Sequence, residues 1–249
     1  MRYQFVDCRW ELGNPGRGRE LYLEGHIPGA SFLDVERDLS APPGAPPRHG
    51  GRHPLPAEGD FARAAGKAGI GPGVFIVAYD QGRTGGAARL WWLLRHFGHD
   101  DVAVLDGGVA AWLGPLRAGE EEIEPARFTP HPRRDDTIEA DELAQRLGDE
   151  RLALVDARLP ERHRGEVEPI DPIAGHIPGS VNVPFAQADI PPVVLEADEI
   201  VVYCGSGVTA CVDVLELFRA GRDDARLYPG SWSDWCARGL PAKRGASGP

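Results

Sequence analysis

The chain has 249 residues, 42% of them hydrophobic, with a formal net charge of -11. A domain takes roughly 100–200 residues, so the chain holds one large core or two ordinary ones. The acidic balance comes without the basic stripe that a nucleic-acid partner asks for, and no apolar run approaches the ~20 residues of a membrane span.

The opening, MRYQFVDCRW, reads as a strand rather than as a basic segment followed by an apolar one. No signal peptide is therefore expected, and the default location is cytoplasmic. Further along come EGHIPGA at 24–30, FIVAYDQG at 75–82 and LDGGVAAW at 105–112. Each of these blocks returns later in the same order. FVDCR at 5–9 matches LVDAR at 154–158, and EGHIPGA matches AGHIPGS at 174–180. FIVAYDQG matches EIVVYCGS at 199–206, and LDGGVAAW matches LYPGSWSDW at 227–235. Four blocks in one order mean two copies of one unit. Copy one spans 1–117 and copy two 137–249. The charged, proline-bearing stretch 118–136 reads as a linker.

In copy two, TIEADELAQRLG opens on Thr137 with acids in its first turn, an N-terminal helix signature. LALVDA and IVVYC read as strands, and RLYPG starts from a third. TACVDVLELFRAG carries apolar residues at helical spacing and ends on Gly221, a common C-cap choice. Strands alternating with helices argue for an α/β unit with a largely parallel sheet. Ligand crevices in such sheets lie beyond the carboxyl ends of strands, where Cys204 sits.

The four cysteines are Cys8, Cys204, Cys211 and Cys236. No Cys-x-x-Cys pair or histidine at zinc spacing accompanies them, so no metal is expected. Cys204 opens the turn CGSGVTA. Gly205 and Gly207 permit backbone angles that direct successive N–H groups inward as an anion nest, and the following helix adds positive partial charge at its N-terminus. Such a turn suits a cysteine sulfur that works as an anion. Phosphate-ester chemistry of the Cys-x5-Arg type is excluded, since the residue at that spacing is Ala210.

The repeated GHIPG blocks, Asp7 and Asp156 after the first strands, CGSGVTA and GSWSDW together resemble the tandem-domain rhodanese-type sulfurtransferases. The resemblance covers essentially the whole chain. It implies two tandem rhodanese-like α/β domains, each a largely parallel sheet flanked by helices. Only the second has an active cysteine, because the first carries Asp80 where the second carries Cys204. It implies a ping-pong reaction through a Cys204 persulfide, without metal or organic cofactor. The expected partners are a small-molecule sulfur donor and a thiophilic acceptor, which is cyanide, a low-molecular-weight thiol or a thioredoxin-like protein. Nucleic acid and membrane are not among them.

The loop CGSGVTA is similar to that of the 3-mercaptopyruvate enzymes of this family, whereas thiosulfate sites resemble CRKGVT. The resemblance assigns Ser206 to a serine–histidine–carboxylate relay with His53, from RHGGRHPLP, and Glu36, which stands where the family has aspartate. Arg162 is the implied holder of the donor carboxylate, and the turn residues Gly205, Gly207, Val208 and Thr209 line the donor. A second substrate arginine common in the family meets Ile170 here, which keeps thiosulfate open as donor. A non-catalytic module on the same fold is the remaining alternative.

Overall fold

The computed structural model describes residues 2–41, 51–187 and 189–245. These form two compact units. The first comprises 2–41 and 55–133, the second 51–54 and 134–245.

In the first unit the elements run β1 (Arg2–Asp7), α1 (Arg17–Glu24), β2 (Ser31–Phe32), α2 (Glu58–Lys67), β3 (Val74–Tyr79), α3 (Gly86–His96) and β4 (Val102–Val104). The strands form one parallel sheet in the order β2-β1-β3-β4. β1 and β3 pair from Arg2↔Val74 to Asp7↔Tyr79, so Asp7 and Tyr79 end side by side at the carboxyl edge. The stretch expected as a linker is bound to this unit over residues 119–133. Ala126 N–H donates to Gly66 C=O and His131 N–H to Phe97 C=O, both at 2.9 Å. Phe128 stands edge-on to Phe61.

The second unit repeats the plan. It has α4 (Ala140–Gln145), β5 (Leu152–Asp156), α5 (Pro160–His163), β6 (Val181–Asn182), α6 (Pro192–Leu195), β7 (Glu199–Tyr203), α7 (Ala210–Arg219), β8 (Arg226–Leu227) and α8 (Ser231–Ala237). Its parallel sheet runs β6-β5-β7-β8. Ile200, Val201, Val202 and Tyr203 of β7 are all buried, as befits a central strand covered on both faces. α7 ends as its sequence implies. Gly221 takes φ +88° just beyond the last turn, and Arg222 N–H returns to Leu217 C=O.

One helix starts later than its sequence suggests. Thr137 does not cap α4, which begins at Ala140 after Glu139. Instead Thr137 bridges Leu227, and its carbonyl accepts both Nε and Nη2 of Arg226. The sheet edge captures the residue before the helix can. Trp232 and Trp235 are fully buried in the core with Ile177, Tyr203 and Tyr228. Among the described residues, no helix is long and apolar enough to cross a membrane.

Candidate active site

β7 delivers Cys204 to the carboxyl edge of the second sheet, and α7 begins at Ala210 six residues later. The turn between them is clamped from one side by α8. Trp232 N–H donates to Cys204 C=O and Ser233 N–H to Gly205 C=O, each at 2.9 Å. Cys204 N–H donates to Ser231 Oγ at 3.1 Å, and that hydroxyl donates on to Tyr228 C=O at 2.9 Å. Ser231 adopts φ +52°, a left-handed angle that a non-glycine residue seldom takes. Sequence reasoning passed over Ser231. Its only signal was its place in GSWSDW.

With its backbone held, the turn directs Gly207 N–H at Cys204 Sγ, 3.1 Å away. Gly207 has φ +81°, and a Cβ there would lie 2.4 Å from Pro229 C=O, so glycine is required twice over. Val208 is buried. Thr209 precedes α7 without a side-chain cap. Cys211 lies beneath the turn, with its thiol toward Gly207 C=O at 3.4 Å.

Burial, with Asp7, Asp80 and Asp38 nearby, pushes the Cys8 thiol well up. Burial beside Asp171 pushes Cys236 up to about 11. Both thiols stay protonated at neutral pH.

Residues 51–54 belong to the second unit and bring His53 to the turn. His53 Nδ1 and Ser206 Oγ are 2.7 Å apart, with both residues buried. Glu36 is not in this unit. It sits in the turn after β2, where its N–H donates to Asp34 Oδ1 at 2.8 Å.

Arg162, in α5, donates to Glu168 Oε1 at 2.7 Å and to Asp171 Oδ2 at 3.2 Å. Arg158 is structural. It forks onto Asp156 through Nε and Nη2, at 3.0 and 2.6 Å, and its guanidinium stacks 4.6 Å from the Trp232 ring. Arg52, next to His53, pairs with the other oxygen of Asp171. Its Nη2 comes within 3.0 Å of where a Gly205 Cβ would stand, and Arg162 Nη1 within 3.4 Å. Arg52 is therefore a second arginine at the turn, which sequence reasoning sought at Ile170. RHGGRHPLP contained it, but a separation of about 150 residues hid its neighbour.

The first unit repeats the turn with other chemistry. Asp80 fills the cradle with its own carboxylate, accepting from Gly82 N–H at 2.7 Å and from Ala87 N–H at 3.2 Å.

The family model described as "Rhodanese-like domain" matches residues 2–114 and 139–238. The "Probable 3-mercaptopyruvate sulfurtransferase" of Pseudomonas aeruginosa is 45% identical over 92% of this chain and 88% of its own. The thiosulfate sulfurtransferase of Rattus norvegicus is 33% identical over 98% and 88%. Among solved structures, the 3-mercaptopyruvate sulfotransferase SseA from Escherichia coli superposes with a TM-score of 0.77 at 30% identity, covering 92% of each chain. Two parallel α/β units, one with a cysteine at a cradling turn, define a tandem rhodanese architecture. The chain belongs to the rhodanese-type sulfurtransferase family.

Proposed function

We propose that this protein moves the sulfur of 3-mercaptopyruvate to a thiophilic acceptor through a persulfide on Cys204. The observation that carries the reading is the Gly207 N–H aimed at Cys204 Sγ at the end of β7. A preorganised donor at that place favours an anionic sulfur over a neutral thiol, before and after loading.

In the first half-reaction the Cys204 thiolate attacks the donor sulfur. The carbon–sulfur bond breaks and its electron pair passes to the methylene carbon as an enolate. The proton on the donor thiol moves to that carbon, giving pyruvate and Cys204–S–S⁻. Ser206 and His53, 2.7 Å apart, are the groups assigned to carry the proton. Arg162 holds the carboxylate, while the Gly207 N–H, 3.1 Å from Cys204 Sγ, stabilises the sulfur anion. In the second half-reaction a thiolate or cyanide attacks the outer sulfur, and the Cys204 thiolate leaves. The first unit, with Asp80 in place of the cysteine, takes no part in sulfur transfer. A reducing cytoplasm suits a nucleophile of this kind.

Thiosulfate is the second reading. The 33% identical rat relative bears that donor's name. The absence of a cation at 205 and 206 favours mercaptopyruvate.

The test is mass spectrometry of the protein after donor treatment and desalting. The Cys204 peptide should gain one sulfur atom, which cyanide then removes. Cys204→Ser should neither load nor turn over, while Cys8→Ser and Cys236→Ser still transfer sulfur. Full turnover in Cys204→Ser would end the proposal. A kcat/KM for thiosulfate above that for mercaptopyruvate would reassign the donor.

A further inference from the structure

Two guanidinium groups converge on Gly205, the residue after the nucleophile. Arg52 and Arg162 are tied together from behind by one buried carboxylate. Asp171 gives Oδ1 to Arg52 Nη1 and Oδ2 to Arg162 Nη2, and its side chain is only 3% exposed. Arg162 spends its Nε and Nη2 on Glu168 and Asp171. Its Nη1 and the Nη2 of Arg52 are the ends nearest Gly205, and neither has an acceptor among the described residues. The two side chains keep 27% and 15% of their surface exposed, so both ends are reachable from solvent.

The segment that carries Arg52 is not loosely placed. Arg52 N–H donates to Ser233 Oγ at 3.1 Å, and Gly51 sits so close to Gly230 that an added Cβ would come within 3.1 Å of its carbonyl oxygen. Arg52 is thus held at the same loop of α8 that clamps Cys204.

From this geometry we infer that Arg52 is the second donor-binding cation. It offers one N–H to a carboxylate oxygen of the donor while Arg162 offers one to the other. A planar carboxylate spanning two guanidiniums is fixed in orientation as well as in place, which aims the keto acid's methylene sulfur at Cys204. Asp171 is the positioning residue that sets the spacing of the pair. Arg52 so supplies the charge that Ile170 does not. This inference rests on the keto-acid donor proposed above.

The experiment removes the cation and the carboxylate separately. Wild type, Arg52→Gln and Arg52→Lys are assayed with 3-mercaptopyruvate and with mercaptoacetone, which keeps the keto group and the thiol but has a methyl in place of the carboxylate. For Arg52→Gln, kcat/KM toward mercaptopyruvate should fall about 10- to 100-fold, chiefly through KM, as expected for one lost charge-assisted contact. Toward mercaptoacetone it should change less than about twofold, because there is no partner left to lose. Arg52→Lys, which keeps the charge but loses the fork, should fall between the two. Equal losses with both donors would make Arg52 a prop for His53 and overturn the inference while leaving the donor intact. A wild type that turns over thiosulfate but not mercaptopyruvate would overturn the donor reading, and this role of Arg52 with it.

Discussion

Ser206 and His53 show how much one contact decides. Their polar atoms are 2.7 Å apart and both side chains are buried, so the pair is shielded from competing water. In the proposed first half-reaction this hydroxyl relays a proton, and only a donor with a thiol proton needs one. Ser206→Ala should therefore lower kcat with mercaptopyruvate by about 100-fold or more, the usual reach of positioned acid–base groups. Turnover with thiosulfate, which carries no thiol proton at neutral pH, should change little. The check is kcat for both donors at one fixed acceptor concentration. Parallel losses would reduce Ser206 to a turn residue. The family resemblance implied roles for Ser206, His53 and Arg162, and only Cys204 was legible from the chemistry of its own turn. Arg52 and Ser231 were not. An arginine beside a histidine looks solvated until its carboxylate is seen, and a serine at φ +52° gives no sign of strain in one dimension.

At the level of elements, the end of β5 and the GHIPG turn share one buried polar network. Asp156 accepts from Arg158, from Tyr203 Oη at 2.8 Å and from His163 Nδ1 at 3.1 Å. Burial alone would raise its pKa, but Arg158 and His163 outweigh burial and hold the carboxyl well below the usual range. His176 stacks on His163 with centroids 3.9 Å apart and donates Nδ1–H to His163 C=O at 2.7 Å. Burial, with the neighbouring His163, lowers the His176 pKa below its ordinary 6.5. The unfolded chain then takes up that proton first as pH falls. Stability from this group is complete above pH 6.5 and declines as pH drops from there toward the folded value, with a slope of at most about 1.4 kcal/mol per pH unit. Depressed carboxylates such as Asp156 lose their contribution only at lower pH. Urea midpoints at pH 7.5, 6.5 and 5.5 should fall less for His176→Gln than for wild type, and equal slopes would rule His176 out. The strands that form this edge could be read from LALVDA and IVVYC, because a buried parallel strand is a plain apolar run. The start of α4 could not, since Thr137 obeys a bridge to Leu227, 90 residues away in sequence, over its own capping preference.

Over the whole molecule, the duplication was visible in four recurring blocks, and the two sheets share one strand order. The backbone around the two turns is also alike. Val109 N–H holds Asp80 C=O at 2.9 Å as Trp232 N–H holds Cys204 C=O. The side chains after it diverge. Gln81 in the first unit is engaged with Trp10 C=O and Thr84 Oγ1 where the second unit has Gly205, and Gly82 stands where it has Ser206. Asp80→Cys should accordingly give a chain that still loads one transferable sulfur, counted as thiocyanate released by excess cyanide per chain. Two equivalents would mean that the turn alone suffices for chemistry. The Asp80 carboxylate has one more consequence. It is a carboxylate fixed to the backbone and held by N–H groups of its turn, as the Gly207 N–H addresses the sulfur of Cys204, but no sulfur can be loaded onto it or taken from it. The polypeptide therefore carries its own blank. A response to sulfur donor or to cyanide that the second turn shows and the first does not belongs to sulfur on Cys204.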